Sequence, residues 1–398
     1  MSGDRDLDLV LLGATGFTGR LTAHRLAERL AGTGTRWAVA GRDRERLAAI
    51  AAEVPGDPSI EVVDVTDLVG LLELTARTRV LATTVGPYRR FGELVVQACV
   101  RNGTHYADIT GEPAFVELVR ARYHADAAAR GVKLVSCCGF DSVPHDLGAR
   151  FTVDHLPDDA PLTVRGYVRY EGRMSGGTAR TALDAIAEGT RSAVRSRADG
   201  PAREADGRPV RTEPPTIHRV AALRAWGVPL PTIDASIVLR SARELDGYGT
   251  SFRYGHYALV RRLPVALGGV AAVGAGVAAA SVRPGRAVLE RVLPAPGAGP
   301  DEQRRARSRF QVSFVGRGGG RRVLARVSGG DGGYAGTADW LTEAMLVLLE
   351  DHATTSTSNR AAGGALTPAV GLGEPFHRRL VATGLRFELL DEVETGSG

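Results

Sequence analysis

Short apolar runs alternate with amphipathic stretches through the first 140 residues of the chain. The runs LDLVLLG, RWAVAG, IEVVDV, RVLATTVG, HYADITG and VKLVSCCG have the length and composition of buried strands. Between them, FTGRLTAHRLAERLA brings Leu21, Leu26 and Leu30 close to one helical face. Helices are also indicated by DRERLAAIAAEV, FGELVVQACVRNG and PAFVELVRARYHADAAARG. Gly103 is a good C-terminal stop for the second of these. Strands that alternate with helices predict an α/β fold with a doubly wound parallel sheet.

The pattern changes after about residue 140, where longer alternations of polar and apolar residues begin. LTVRGYVRY, DASIVLRSA, FQVSFVG and RRVLARVSG predict strands with one solvated face, as in an antiparallel sheet. The tail holds two helical stretches, and the second offers Thr367 as N-cap and Pro368 as the first helical residue. We expect a parallel-sheet domain at 1–140, an α+β domain with a mainly antiparallel sheet at 141–335, and C-terminal helices at 336–398 that return to the first domain.

The composition is that of a folded globular protein, since 43% of the 398 residues are hydrophobic and 24% are charged. The net charge of +5 does not indicate nucleic-acid binding, because the arginines alternate with acids, as in GRDRERL. Lys133 is the only lysine of the sequence. Three cysteines, Cys99, Cys137 and Cys138, are too few for a disulfide framework, and we expect the adjacent pair to pack in the core. The chain opens without the pattern of a secretory signal, which predicts a cytoplasmic protein.

One long apolar stretch, LPVALGGVAAVGAGVAAASV, runs from Leu263 to Val282 without a charged residue and has arginines on both sides. It is long enough to span a bilayer in principle. Alanine and glycine, which make up most of it, are weak drivers of membrane insertion. We therefore expect a buried helix or a surface hairpin, with peripheral membrane contact as the alternative.

A glycine-rich turn, LLGATGFTGR, lies directly between the first predicted strand and the first predicted helix. Its spacing is Gly-x-x-Gly-x-x-Gly, formed by Gly13, Gly16 and Gly19. Gly13 would permit the tight turn, Gly16 would let a pyrophosphate approach the backbone, and Gly19 would allow close packing of helix on strand. The N-terminus of the helix would then bind the anion. This predicts a dinucleotide-binding turn.

An arginine stands at the end of the second predicted strand, where nucleotide-binding chains commonly carry an acid. A carboxylate there would bond a free ribose hydroxyl and repel a phosphate. Arg42 instead offers planar donors that suit a 2′-phosphate, and Arg44 is placed to help it. Asp43 is better explained as the N-cap of the next helix. The sequence therefore predicts NADP(H) as the cofactor.

The lysine count excludes one common mechanism of short-chain dehydrogenases, the Tyr-x-x-x-Lys pair, because Ala129 lies four positions before Lys133. The stretch TTVGPYRRFG follows the fourth predicted strand instead, on the nicotinamide side of the expected crevice. There Gly86 and Pro87 would fix the turn, and Tyr88 would offer a ring and a hydroxyl group.

Polar residues also cluster after the next two predicted strands. They are Asp108, Thr110 and Glu112 in HYADITGE, and Asp141, Ser142 and His145 in CCGFDSVPHDLG. Residues that follow strand ends are candidates for an active site. They are equally good helix caps, since Pro113 and Pro144 begin helical stretches directly after them.

Several motifs occur together in this chain: GATGFTG, AGR, GPYRRFGELVVQACVRNGTHYADITGE, CCGFDSVPHDLG, SGGTARTALD, SGGDGGYAGTA and GGALTPAVGLG. In combination they resemble the saccharopine dehydrogenase-like oxidoreductases and, within them, the actinobacterial trans-acting enoyl reductases. The resemblance covers nearly the whole chain and implies a Rossmann-type NADPH domain with a second domain that shapes the substrate site. The cofactor-binding residues that it implies are Gly13, Thr15, Gly16, Phe17, Gly19, Arg42, Gly86, Pro87 and Tyr88.

The resemblance also implies an activity, the reduction of a carbon–carbon double bond in a polyketide or lipid acyl thioester that a partner polyketide synthase leaves unsaturated. Such a reaction needs a hydride from NADPH and a proton from the protein. We expect Tyr88 and His145 to supply the acid chemistry, with Asp141 orienting the histidine.

Two other hypotheses remain open. The first is imine reduction, as in true saccharopine reductases, in which Arg165, Arg169 and Arg173 would bind a dicarboxylate. The second is a non-catalytic NADP-binding, membrane-associated protein. The sheet-rich second domain further suggests pairing with a copy of itself, and hence a homodimer.

Overall fold

The computed structural model of the protein describes residues 5–171, 208–265, 268, 302–353 and 363–394. The chain divides into two compact units. The first consists of Met1–Val143 and Gly332–Gly384, and the second consists of Pro144–Asp331 and Leu385–Gly398. Each unit is built on one sheet.

The helices and strands of the described residues are numbered in chain order. The strands are β1 (Leu7–Leu12), β2 (Trp37–Gly41), β3 (Ser59–Val62), β4 (Thr78–Thr83), β5 (His105–Asp108), β6 (Lys133–Val135), β7 (Pro161–Glu171), β8 (Val210–Thr212), β9 (His218–Val220), β10 (Ala225–Pro229), β11 (Ser251–Val260), β12 (Arg309–Gly318), β13 (Arg321–Gly329), β14 (Gly364–Leu366) and β15 (Arg386–Glu394). The helices are α1 (Phe17–Leu30), α2 (Arg44–Glu53), α3 (Leu68–Ala76), α4 (Tyr88–Asn102), α5 (Pro113–Ala129), α6 (Val143–Val153), α7 (Asp234–Glu244), α8 (Glu302–Arg307), α9 (Thr337–Ala353) and α10 (Pro368–Ala382).

The sheet of the first unit has seven strands in the order β14-β6-β5-β4-β1-β2-β3. Every pairing in it is parallel. The strand order reverses at β1, which pairs with β2 on one side and with β4 on the other. In doubly wound sheets a ligand binds at the carboxyl ends of the strands beside such a reversal. The predicted parallel, Rossmann-type sheet is confirmed.

Burial explains why the central strands β1 and β2 are mostly apolar. All five residues of β2 are buried, and so are five of the six residues of β1, as expected for strands covered by helices on both faces. The helix ends follow local rules that the sequence predicts. The side chain of Asp43 accepts the N–H of Arg46, that of Thr367 accepts the N–H of Val370, and Gly103 ends α4 with a φ of +69°.

The second unit contains an eight-stranded mixed sheet, with the order β15-β13-β12-β7-β11-β10-β9 and with β8 paired to β11. Its β12, β13, β15, β10 and β9 pairings are antiparallel, whereas β7 and β8 run parallel to β11. The expected α+β unit with a mainly antiparallel sheet is therefore confirmed. α6 packs on one face of this sheet, where a Cβ on Gly148 would lie 2.3 Å from Cε2 of Phe314 in β12.

One element of this unit differs from its prediction. DASIVLRSA is not a strand; it forms most of α7. The buried residues include Asp234, Ile237, Val238 and Ser241, which recur at the spacing of a helix. The stretch has the pattern of a half-solvated strand only if Arg240 faces solvent. In the structure Arg240 is instead buried beside Glu244. The tail also holds an unpredicted strand, β15, which pairs with β13.

Two predicted features fall wholly or mostly outside the described residues. The apolar stretch from Leu263 to Val282 is described only at 263–265 and 268, and Arg173 is not described. Within the residues that the structure does describe, no helix combines the length and the hydropathy needed to cross a bilayer.

Candidate cofactor and active site

Three glycines shape the turn between β1 and α1. Gly13 has a φ of +92°, and a Cβ added to it would lie 2.6 Å from Cγ2 of Val85. A Cβ on Gly19 would lie 2.1 Å from the carbonyl oxygen of Gly13, so α1 can approach the turn this closely only without a side chain there. A Cβ on Gly16 would lie 3.4 Å from the same oxygen, which is close to an ordinary contact. Gly13 and Gly19 are therefore required by packing, whereas a Cβ at Gly16 would make an ordinary contact.

The N-terminus of α1 has the chemistry of an anion site. Gly16 is its N-cap and brings no side chain to the N–H groups of the first turn, which holds no acidic residue. These N–H groups and the positive end of the helix dipole favour an anion. Nη2 of Arg46 donates to the carbonyl oxygen of Thr15 at 3.2 Å, and the Phe17 ring packs edge-to-face on Tyr334 with a centroid distance of 4.9 Å. The turn therefore fits a pyrophosphate.

Arg42 directly follows β2, and its side chain is exposed, as is that of Arg44. The acid between them is engaged elsewhere, because the Asp43 carboxylate accepts the N–H of Arg46 at 3.1 Å to cap α2. The strand end therefore presents a guanidinium group, with its neighbouring carboxylate held in the helix cap. Such a group suits a phosphorylated ribose better than a free hydroxyl.

Tyr88 is the first residue of α4, and Pro87 before it is the N-cap. The tyrosine is buried beside Phe115, with 5.6 Å between ring centroids. Its hydroxyl donates to the carbonyl oxygen of Thr83 at 3.1 Å and lies 3.4 Å from the N–H of Ile109. Burial raises the pKa of Tyr88 well above its ordinary value. The hydroxyl thus bridges the ends of β4 and β5 and holds its proton firmly.

Glu112 contacts a helix other than its own. It precedes Pro113 at the N-cap of α5, but its side chain makes no capping bond there. Its two carboxylate oxygens instead accept the N–H groups of Tyr88 at 2.8 Å and Arg89 at 3.0 Å, at the start of α4. Its own N–H donates to the Thr110 hydroxyl at 3.1 Å. Glu112 therefore caps the helix that begins with Tyr88.

Asp108 ends β5 and is fully buried. Its carboxylate accepts hydrogen bonds of 3.0 Å from the N–H of Thr110, the hydroxyl of Ser136 and the N–H of Cys137. Burial raises the pKa of Asp108 to about 6 even so. Cys137 and Cys138 are buried as predicted, although they lie just after β6 and Cys137 has a φ of +66°. Asp108 therefore organises the turn that follows β6.

That turn leads through Asp141 and Ser142 to α6, which carries His145 in the second unit. His145 is 2% exposed, and its Nδ1 lies 2.8 Å from Oδ1 of Asp234 at the start of α7. Nε2 of His256, from β11, lies 3.6 Å from Oδ2 of the same aspartate. The two imidazole rings stand edge-to-face, 4.8 Å apart.

Sequence reasoning did not single out Asp234 or His256. Asp234 lies 89 positions after His145 in a stretch assigned to a strand, so no local pattern joins the two. A helical assignment of DASIVLRSA would have placed Asp234 in the first turn, where an acid is favourable. The orienting role expected of Asp141 stays a prediction.

Imidazole and carboxylate groups are also common ligands of transition metals. The ligand atoms of His145, Asp234 and His256 all lie within 4.8 Å of one another. The partners of Asp234 account for this arrangement without an ion, because the carboxylate lies between two imidazole rings and its Oδ2 also accepts the hydroxyl of Thr232. Burial alone would raise the pKa of Asp234, but the two histidines lower it to about 2. Burial lowers the pKa of His256 to about 4. At neutral pH the cluster holds a carboxylate beside a neutral His256.

Two of the three arginines proposed for dicarboxylate binding, Arg165 and Arg169, lie in the described part of the second unit, and both are paired. Nε and Nη2 of Arg165 donate to Oε2 of Glu213 at 2.9 and 2.6 Å. Nη2 of Arg169 forms an ion pair with Glu171. Both guanidinium groups therefore already have carboxylate partners.

Comparison with known proteins agrees with this fold. Residues 9–135 match the family described as the saccharopine dehydrogenase NADP binding domain. A Mycobacterium tuberculosis protein, whose name assigns it provisionally to the trans-acting enoyl reductases, is 35% identical over 96% of this chain and 97% of its own length. The trans-acting enoyl reductase of Mycobacterium ulcerans is 33% identical over 96% of this chain and 98% of its own. An apo saccharopine dehydrogenase (L-Glu forming) from Saccharomyces cerevisiae has a similar fold, with a TM-score of 0.53, 15% identity and coverage of 97% and 100%.

A parallel sheet with a glycine-rich turn, the match to this NADP-binding domain family and the relatives named enoyl reductases define an NADP-dependent oxidoreductase. NADP(H) is its cofactor. The chain belongs to the saccharopine dehydrogenase-like family, among the relatives named trans-acting enoyl reductases.

Proposed function

We propose that the protein reduces the carbon–carbon double bond of an α,β-unsaturated acyl thioester, and that a polyketide synthase supplies this substrate. The observation that carries the proposal is the 31–35% identity, over 96–97% of the chain, to relatives named for this activity. The two paired arginines, Arg165 and Arg169, favour this substrate over a dicarboxylate, because their charges are already neutralised.

The first unit offers the groups that would hold the cofactor. The N–H groups at the start of α1 would bind the pyrophosphate, and Arg42, assisted by Arg44, would bind the 2′-phosphate. Gly86, Pro87 and Tyr88 would lie on the nicotinamide side, past the end of β4. When bound, NADPH supplies a hydride.

The remaining requirement of the reaction is a proton for the α-carbon of the thioester, and His145 is the proposed donor. Because Nδ1 lies 2.8 Å from Oδ1 of Asp234, Nε2 is the nitrogen proposed to exchange the proton. In this step the Nε2–H bond of the imidazolium breaks and a C–H bond forms, which leaves a neutral imidazole with its proton on Nδ1. Proton donors of this kind contribute about 10²- to 10⁴-fold to rate.

Tyr88 and Asp141 complete the proposed acid chemistry. The Tyr88 hydroxyl already donates to the Thr83 carbonyl and its pKa is raised, so its proposed part in the acid chemistry is to fix the end of β4 beside the site and not to release its proton. Asp141 lies four residues before His145, in the turn that leads into α6, and its proposed role is to help orient the histidine.

The experiment is an NADPH-oxidation assay of the purified protein with an enoyl thioester, or with a 2-oxo acid plus an amine. The proposal requires turnover of the enoyl thioester with a saturated product identified by mass spectrometry. Turnover of the oxo acid and amine alone would identify an imine reductase. NADPH binding without oxidation by either substrate would identify a non-catalytic binding protein.

Variants then locate the acid. His145→Gln should lower turnover at least about 100-fold with little change in NADPH affinity. His24→Gln, which removes a half-exposed histidine of α1, is the matched control. If His145→Gln and Tyr88→Phe both keep near wild-type turnover, the proton comes from elsewhere.

A further inference from the structure

Three elements of the second unit bring their polar side chains to one buried point. His145 comes from α6, Asp234 from α7 and His256 from β11, and they are 2%, 3% and 6% exposed. A carboxylate removed from water in this way is costly unless charged or hydrogen-bonding partners surround it. The partners of Asp234 are the two histidines and the hydroxyl of Thr232.

The contacts of Asp234 are unequal. Its Oδ1 is 2.8 Å from Nδ1 of His145, which is a hydrogen-bond distance. Its Oδ2 accepts the Thr232 hydroxyl and lies 3.6 Å from Nε2 of His256, which is beyond a good hydrogen bond. The Thr232 hydroxyl therefore holds one oxygen of the carboxylate, and the other oxygen lies closest to His145.

We infer that Asp234 is a positioning residue: it keeps a proton on Nδ1 of His145, so that Nε2 is the atom that exchanges a proton with substrate. This inference rests on the proposed function, since it extends the role of the acid to the residue that orients it. A carboxylate on Nδ1 fixes the tautomer and ring orientation of a histidine and stabilises its protonated form. His256, kept neutral by burial, adds no second positive charge.

Two other groups lie near this cluster and belong to the same unit. The ring of Tyr254 stacks on His256 with 6.3 Å between centroids. The Asp146 carboxylate, next to His145 in sequence, is buried and acts electrostatically on Tyr254. The carboxylate that lies at hydrogen-bond distance from His145 nevertheless belongs to Asp234.

The direct test is the tautomer of His145 in the full-length protein. Protein labelled with ¹⁵N-histidine gives long-range ¹H–¹⁵N correlations that distinguish Nδ1–H from Nε2–H, and His145→Gln identifies the signals. We expect Nδ1 of His145 to carry a proton in the wild type and to lose that preference in Asp234→Asn. An Nε2–H tautomer in the wild type, or an unchanged one in Asp234→Asn, would overturn the inference.

Activity and metal content complete the test. Asp234→Asn should lower kcat about 100-fold or more with the KM for NADPH unchanged. The control Asp154→Asn, which removes an exposed carboxylate directly after α6, should leave both unchanged. If Asp234→Asn does not fold, the wild-type tautomer alone decides. Stoichiometric zinc or iron in the purified protein, bound through His145 and lost in His256→Gln, would overturn the inference. Unchanged turnover in His145→Gln would instead count against the proposed acid, a result separate from the tautomer.

Discussion

The carboxylate of Glu112 accepts the backbone N–H of Tyr88 at 2.8 Å, which joins the turn after β5 to the first residue of α4. The second oxygen accepts the N–H of Arg89 at 3.0 Å. Because the N–H groups of a first helical turn have no partners within the helix, one side chain from a neighbouring loop here satisfies two of them. The same contact fixes the backbone from which the Tyr88 ring projects.

Replacement of Glu112 by alanine should therefore destabilise the first unit by about 1–2 kcal/mol, the usual cost of a lost N-cap. The control is Glu117→Ala, which removes an exposed carboxylate from α5. Urea unfolding of the two variants gives the comparison. Equal stability of both would mean that the Glu112 contact contributes nothing measurable.

Arg42→Ala should weaken NADPH binding about 10- to 100-fold, because hydrogen bonds to a charged group contribute about 1.5–3 kcal/mol. Binding of NADH should not change, since it has no 2′-phosphate. Calorimetric titration with both dinucleotides measures the difference. Arg120→Ala removes an exposed arginine from α5 and controls for total charge. A parallel loss of NADH affinity would show that Arg42 acts on the fold and not on the phosphate.

The glycines of the first turn should separate stability from binding. Gly19→Ala places a methyl group against a backbone oxygen at 2.1 Å, so we expect a loss of about 3 kcal/mol or more in unfolding free energy. Gly16→Ala meets its neighbour at 3.4 Å and should cost within about 1 kcal/mol. Its effect should instead be weaker NADPH binding, because the methyl group stands where a phosphate approaches the amides. Thermal unfolding with and without NADPH distinguishes the two variants, and full NADPH affinity in Gly16→Ala would argue against the predicted pyrophosphate site.

The first unit was predictable because its signals are local. A strand covered by helices on both faces has the sequence of an apolar run. The helix caps at Asp43, Gly103 and Thr367 each depend on residues within a few positions. The arginine after β2 is informative for the same reason, since its place follows from one strand end.

The second unit was less predictable because its determinants are far apart in sequence. DASIVLRSA alternates like a strand until Arg240 is seen to be buried with Glu244, a fact of tertiary packing. The pairing of Asp234 with His145 joins α7 to α6, and only the fold brings these helices together. β15 pairs with β13, and Arg322 of β13 forms an ion pair with Asp391 of β15. The acidic sequence of the tail alone does not predict a strand there.

Lys133, the only lysine of the sequence, should be important for stability. Its Nζ lies 2.7 Å from Oδ2 of Asp351 and donates to the carbonyl oxygen of Gly371 at 3.0 Å, and its side chain is 7% exposed. Lys133→Met should cost about 2–4 kcal/mol, because it leaves a largely buried carboxylate without its partner. The double variant with Asp351→Leu should recover most of this loss. Arg122→Met breaks a surface pair and should cost less than about 1 kcal/mol.

His256 should make the folded protein sensitive to mild acid. Burial lowers the pKa of His256 from 6.5 to about 4, so the unfolded chain takes up a proton before the folded protein does. The stability that neutral His256 contributes is therefore complete above pH 6.5 and is lost as the pH falls towards 4. Asp234, with a pKa lowered from 3.8 to about 2, loses its contribution only below that window.

His256→Gln removes the titrating group and should flatten the dependence of unfolding free energy on pH between 6.5 and 4, a change on the order of 3 kcal/mol. Urea unfolding across this range measures the slope. His24→Gln removes a half-exposed histidine from the first unit and should keep the wild-type slope. A His256→Gln variant that loses stability in acid as steeply as the wild type would place the acid-sensitive group elsewhere. The His256 ring also packs against His145. The same variant should nevertheless leave the Nδ1 proton of His145 in place, because we infer that Asp234 keeps it there.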